Sequence, residues 1–375
     1  MPAVRHPLLI ILIIEKVKEE IEINSTGVLI PENRPASSQL HTYTIENDNG
    51  TRLVLSNVGA AVMSIFTTDK KGTFSDIVMG YETPADYLAD DYYIGTIVGR
   101  NANRIYGDSI DVNGRRYKIS TKEGGFHHHG GKTGFNKKIF LATPFKQEGV
   151  MGVTFEYTSA HLEEGFPGEL HLKVIYTLDN EDRWSVEYKA VSNQDTFVNL
   201  TQHTYFNLTG DPSNKIDEHE LKMLSRYYLP VNEMLVPLGD IVDVSGTPFD
   251  FTQFKKIGRD INKNDEQLNL GAGYDHSFVL EKEHTGDLKH AAVVKENITG
   301  RKLDVYTTEP SVHLYTGNFL IGVKGKNNSM YNKRSGLCLE TQHFPDAPNH
   351  PHFPSTLLKA GELFYSKTVF KFSVE

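Results

Sequence analysis

A chain of 375 residues with a 38% hydrophobic and a 23% charged share has the make-up of an ordinary globular protein, long enough to bury a sizeable core as one large domain or two smaller ones. Its formal charge of -9 and pI near 6.0 argue against nucleic acid, which demands a basic face, and fit a neutral or weakly polar small ligand better. The single cysteine, Cys338, excludes an intramolecular disulfide and, in an apolar strand, reads as a small buried hydrophobe without chemistry of its own.

At the N-terminus, Leu8 to Ile14 follows Arg5 and His6 in the manner of a signal peptide. The run is only seven residues long, however, Glu15-Lys16 follows at once, and no small-residue cleavage site precedes the charged run from Glu15 to Glu22. It is far too short to span a bilayer, so no membrane association is expected. Residues 1–40 read as an extension outside the core that ends in the linker from Asn33 to Ser38. A cytoplasmic protein is expected, with secretion as the alternative that Leu8 to Ile14 keeps open.

From His41 onward the pattern is that of strands. Leu170, Leu172, Val174 and Tyr176 alternate with His171, Lys173 and Ile175, and Trp184, Val186, Tyr188 and Ala190 alternate with Ser185, Glu187 and Lys189. Only Asp179 to Asp182 separates the two runs, which predicts an antiparallel hairpin. Further strands are expected at Thr42–Ile45, Leu53–Ser56, Val62–Thr67, Val153–Tyr157, Phe197–Leu200, Phe278–Leu280, Leu303–Thr307, Val312–Tyr315 and Thr368–Val374. No stretch holds an apolar stripe at helical spacing, and Gly or Pro breaks recur throughout. The expectation is one all-β domain over 41–375, built as a large antiparallel sandwich.

Chemically capable side chains gather in five places. Gly99 to Ile105 holds Arg100, Asn101, Asn103 and Arg104; the Arg104 fork suits either a neutral polar ligand or an ordinary ion pair. Gly124 to Gly131 holds His127, His128 and His129, readable as a metal site if His127 and His129 share a strand face, as a surface cluster, or as one functional histidine beside two bystanders. The last is preferred, since no cysteine or pair of carboxylates completes a metal shell. Asn199 to Leu208 embeds His203 among Thr, Gln, Tyr and Asn, partners able to fix its tautomer, although a satisfied core histidine would look the same. Gly271 to Phe278 delivers Asp275 to a strand start. Gly336 to Pro351 places Glu340 where an apolar run gives way to a loop with three prolines; desolvation there raises a carboxyl pKa towards the range of a general base. One acid, one base and no evident nucleophile spell proton transfer rather than covalent catalysis.

Together these segments, with Gly246 to Phe251 and Tyr315 to Phe319, resemble in order the successive motifs of the aldose 1-epimerases, also called galactose mutarotases. The motifs concerned run from Asn101 to Ile105, His129 to Gly131, Gln202 to Leu208, Gly246 to Phe251, Gly273 to His276, Tyr315 to Phe319 and Leu339 to Asp346. The resemblance covers residues 41–375 and implies a galactose mutarotase-like supersandwich that interconverts the α and β anomers of free aldohexoses. It implies that Glu340 is the base taking the C1 hydroxyl proton and His203 the acid protonating the ring oxygen. Arg104, Asn103, His129 and Asp275 then fall at sugar-binding positions, and neither cofactor nor metal is required. His313 stands where the family usually has Gln, and a one-residue shift would make His128 the binding histidine. A small-molecule sugar is the expected partner, and the protein is expected to be a monomer or weak homodimer. The competing readings are a non-catalytic sugar-binding module, a hexose 6-phosphate epimerase for which Arg100 beside Arg104 is the only hint, and a metallohydrolase using the histidine cluster with His350 and His352.

Overall fold

The computed structural model describes residues 39–122, 124–280 and 286–375. The expected N-terminal extension and its linker therefore lie, apart from Gln39 and Leu40, outside the described residues. Among the described residues no helix is long and apolar enough to cross a membrane.

The expected hairpin forms between Leu170–Asp179 and Arg183–Ser192, with Leu172 opposite Ala190 and Leu178 opposite Trp184. Its turn closes on the Asp179 carboxylate, which accepts the N–H groups of Glu181 and Arg183 at 2.9 and 3.1 Å. Side chains alternate across a strand, so Leu170, Leu172, Val174 and Tyr176 go inward together. Both strands belong to a nine-stranded antiparallel sheet that runs, edge to edge, from Leu141–Gln147 through Val150–Ser159, this hairpin, Leu363–Val374, Arg301–Thr307, Lys289–Lys295 and Glu220–Met223 to Lys255–Lys256.

A second sheet has five strands in the order Val242–Asp243, Tyr227–Tyr228, Asp275–Val279, Ser311–Tyr315 and Cys338–Gln342. The main hydrophobic core takes side chains from both sheets: Tyr176, Trp184, Val305 and Phe370 from the first, Phe278, Val312, Leu314 and Leu339 from the second. That shared core makes the two sheets the layers of a sandwich. The first four strands, Thr42–Glu46, Arg52–Ser56, Val62–Thr68 and Phe74–Asp76, form a separate meander whose Leu53, Leu55 and Val62 join the same core.

Among the described residues one α-helix departs from the all-strand expectation: the six-residue Glu266–Gly271. Asp265 caps it by accepting from the N–H groups of Gln267 and Leu268. It is a single capped turn and a half, too short to show as a periodic stripe.

Trp184 is fully buried, stacked on Phe370 at 4.7 Å and edge-on to Tyr176 at 5.6 Å. Trp184→Ala removes that filling and is expected to cost about 3–5 kcal/mol of stability, read as a lower urea midpoint by circular dichroism.

Candidate active site

The five-stranded sheet carries two alternating sets of residues. Phe278, Val312, Leu314 and Leu339 point into the main core. The intervening positions lie on the other face: Asp275 and Ser277 on the first strand, His313 and Tyr315 on the second, Cys338 and Glu340 on the third. Register places Ser277, His313 and Glu340 in one row across the strands, and Asp275, Tyr315 and Cys338 in the next. Glu340 thus lies inside its strand rather than at its mouth, and is 1% exposed.

Loops from residues 93–131 and 203–205 cover this face. Asn103 has φ 59°, which turns the chain into the short strand Arg104–Tyr106, paired with Phe126–His128. His129 follows with φ 46°, and the two turns lock together: the His129 N–H donates to the Asn103 carbonyl at 2.9 Å and the Asn103 N–H to His129 Nδ1 at 3.3 Å. Gly130 has to be glycine, because a Cβ there would meet the Gly99 carbonyl oxygen at 1.8 Å. His203 follows the two-residue strand Thr201–Gln202; its N–H donates to the Thr96 carbonyl, and its carbonyl accepts from Gly95.

The outcome is a compact constellation. His203 Nε2 lies 3.5 Å from Glu340 Oε1, and the His203 ring lies 5.3 Å from that of His129 and 5.0 Å from that of Tyr205. Arg104 Nη2 stands 3.9 Å from Asp275 Oδ2, while its Nη1 donates to Asn103 Oδ1. Glu340 Oε2, Asn103 Nδ2 and Arg104 Nε are buried with no hydrogen-bond partner among the described residues, so the site offers one acceptor and two donors to a hydroxylated ligand.

Burial pushes the Glu340 carboxyl well up, and the nearby Asp275 charge adds to the rise. Burial pushes the His203 imidazole down to about 4. Burial thus favours the uncharged form of each partner, a carboxyl on Glu340 and an unprotonated imidazole on His203. Asp275 behaves oppositely: burial would raise it, but the hydrogen bond from His313 and the Arg104 charge hold it below the usual carboxylate range.

His313 sits between partners, its Nε2 donating to Asp275 Oδ1 at 2.7 Å and its Nδ1 2.9 Å from the Ser277 hydroxyl. Removing that donor leaves a buried carboxylate short of its closest partner. His313→Leu is expected to lose about 2–3 kcal/mol in urea denaturation, and His313→Gln, which keeps an N–H donor, clearly less.

The triple-histidine segment divides into separate roles. His127 and His129 do not share a face: His127 Nδ1 bonds the Ser120 carbonyl at 2.8 Å and its ring packs on Phe166, whereas the positive φ at residue 129 swings His129 to the site. His128 packs against His129 with ring centroids 4.0 Å apart and planes tilted by 59°, and His129 is the one whose ring contact with His203 closes the site. Among the described residues one group could hold a metal ion: His129, His203 and Glu340, with candidate ligand atoms within 4.8 Å of one another. Because His129 Nδ1 accepts the Asn103 N–H, its proton sits on Nε2, which presents a donor rather than a lone pair. The set thus suits a sugar hydroxyl better than a cation. His350 and His352 lie outside it, beside Asp346 at 3.2 Å and the Gly239 carbonyl at 2.8 Å.

Arg100 does not reach the site. It is buried, and its guanidinium donates to the carbonyls of Pro167, Gly168, Ser159 and Ala160 and to the Ser159 hydroxyl. Three site residues carry no signal in the sequence reading. Tyr93, at φ 58°, lays its ring 4.6 Å from that of His129; Lys122 Nζ donates to the Tyr93 hydroxyl at 2.8 Å; and Cys338 Sγ touches His203 Nδ1 at 3.5 Å. The positive φ at a tyrosine and the contact between residues 135 apart exist only in the folded chain.

The aldose 1-epimerase family model matches residues 41–371. Galactose mutarotase from Homo sapiens is 42% identical over 321 residues, 84% of this chain and 89% of that protein. Aldose 1-epimerase from Escherichia coli K12 is 33% identical over 355 residues, 94% of this chain and 100% of that protein. Among solved structures, the aldose epimerase homologue from C. elegans superposes with a TM-score of 0.82 at 28% identity, covering 90% of this chain and 99% of that one. Galactose 1-epimerase from Lactobacillus acidophilus does so with 0.80 at 28%, covering 92% and 98%. On a family match across almost all of the described residues and relatives this similar along most of its length, the chain belongs to the aldose 1-epimerase family.

Proposed function

We propose that the protein is an isomerase that interconverts the α and β anomers of free aldohexoses such as glucose and galactose, with Glu340 and His203 as its acid/base pair. The observation that carries this reading is a single one: Glu340 Oε1 stands 3.5 Å from His203 Nε2 while Glu340 Oε2 is buried without a partner among the described residues. Ring opening needs a proton taken at the C1 hydroxyl and one given at the ring oxygen, and closure needs the reverse. In the opening direction Glu340 takes the first and His203 gives the second. The open-chain aldehyde then rotates about C1–C2 and recloses from its other face, as Glu340 returns its proton to the carbonyl oxygen and His203 recovers one from the C5 hydroxyl.

The form with a neutral carboxyl and a neutral imidazole, which burial of both groups favours, performs closure. Moving the proton from Glu340 to His203 gives the form that performs opening, and a sugar hydroxyl donating to the carboxylate favours it. Asp275, kept ionised, and Arg104, Asn103 and His129 supply acceptors and donors for the remaining hydroxyls. Cys338 is the sole cysteine and is buried, which supports a cytoplasmic setting.

The pH dependence follows from the signs. As pH falls towards 4, His203 acquires a second proton for the pair and closure stops; as pH rises, Glu340 loses the pair's only proton and activity falls again. A bell-shaped kcat/KM profile is expected, its limbs belonging to the pair jointly. Polarimetry of freshly dissolved α-D-glucose, α-D-galactose and α-D-glucose 6-phosphate tests the reading. Acceleration with the free sugars supports it, and acceleration with the phosphate alone would favour a hexose 6-phosphate epimerase.

A further inference from the structure

We propose that Cys338 is a positioning residue for His203: its thiol, seated against Nδ1, holds the imidazole in the Nδ1–H form, so that Nε2 alone gives and takes the proton. The proposal rests on the reading of His203 as the acid of the pair. Its basis is how one strand grips both ends of one ring. Cys338 and Glu340 are two residues apart on Cys338–Gln342 and therefore project from the same face. Glu340 Oε1 meets His203 Nε2 at 3.5 Å, and Cys338 Sγ meets Nδ1 at 3.5 Å. Rings of Tyr205, Tyr93 and Tyr315 lie around the imidazole at 5.0, 5.9 and 6.3 Å, which limits it to this orientation.

The direction of the contact follows from the proton inventory. As imidazolium, His203 carries N–H at both nitrogens, so the sulfur must accept. After Nε2 has given its proton away, Nδ1–H stays and the sulfur still accepts. No rearrangement on the Nδ1 side is then needed at any step. The opposite arrangement, S–H donating to Nδ1, would put the remaining proton on Nε2 and leave no lone pair to recover one from the C5 hydroxyl.

A thiol also differs from the carboxylate that often backs a catalytic histidine. Burial raises Cys338 well above its ordinary value, so it stays a neutral, weak acceptor. A weak partner orients the ring without adding basicity, and His203 is left a strong donor once protonated. This is a role for a residue that composition alone would assign to packing.

The test reads the tautomer directly in the resting full-length protein labelled with 15N-histidine, using long-range proton–nitrogen correlations, with His203→Gln to assign the signal. The expected result is a protonated Nδ1 and an unprotonated Nε2 at His203. Cys338→Ala is expected to shift that signal towards a mixture of tautomers and to lower kcat about tenfold, less than loss of the acid itself, with KM little changed. Cys338→Ser keeps a polar acceptor and is expected to recover most of kcat. A wild-type His203 protonated at Nε2, or a folded Cys338→Ala with unchanged tautomer and kcat, overturns the proposal. The wild-type spectrum and the Ser variant decide the matter if the Ala variant fails to fold. Because the tautomer is read without sugar, a wrong tautomer in an active enzyme and a correct tautomer in an inert one separate this proposal from the mutarotase reading.

Discussion

Glu340→Gln is expected to lower kcat for anomer interconversion by roughly 10³–10⁴-fold while leaving KM within a few-fold. The substitution keeps volume and hydrogen-bonding atoms but removes the only group that can take the C1 proton on this side of the site. Stability should move the other way. The folded state raises the Glu340 pKa well above 4.5, so wild-type stability from this group is fully present below the unfolded value and is lost as pH rises through the folded one. A neutral glutamine does not titrate. The variant should therefore be at least as stable as wild type at pH 7–8, with a flatter dependence on pH across that window, measured by urea denaturation. Loss of activity together with loss of fold would instead make Glu340 a structural residue.

His203→Gln is the second large effect, expected to lower kcat by roughly 10²–10³-fold. Glutamine donates a hydrogen bond but cannot transfer its proton, so binding survives while ring opening and closure fail. Because wild-type His203 is lowered to about 4, the acid limb of the pH–rate profile should vanish in this variant. The two residues pass one proton between them, so the double variant should be little worse than Glu340→Gln alone, a non-additivity that kinetic cycles measure directly.

The strands with clean alternation were legible in the amino-acid order: Leu170 to Tyr176 and Trp184 to Ala190 show their burial pattern and their turn without reference to anything distant. The five-stranded sheet was harder, because Asp275–Val279 and Cys338–Gln342 are buried on both faces. One face is core and the other is a polar site under loops, so Leu339 and Glu340 alternate core with chemistry rather than core with solvent. That is why Glu340 read as a strand-end residue and proved to be mid-strand. The site residues themselves stood out through the motifs that contain them. Their partners did not: the His313–Asp275 pair follows from strand register, and the Cys338 contact and the Lys122–Tyr93 bond from loops packed on the sheet, none of which is local in sequence. His127 and His129 failed to share a face because φ turns positive between strand and loop, a change that two-residue spacing does not reveal.

The most direct test of the central claim is exchange spectroscopy on glucose or galactose at anomeric equilibrium in D₂O, with catalytic wild-type protein. Proton transfer between oxygens alone predicts strong exchange between the α and β C1–H signals, with no deuterium entering C1 or C2 and with exchange nearly abolished by Glu340→Gln. Absence of accelerated exchange, or wash-in of deuterium at C2, would contradict a ring-opening acid/base pair at Glu340 and His203.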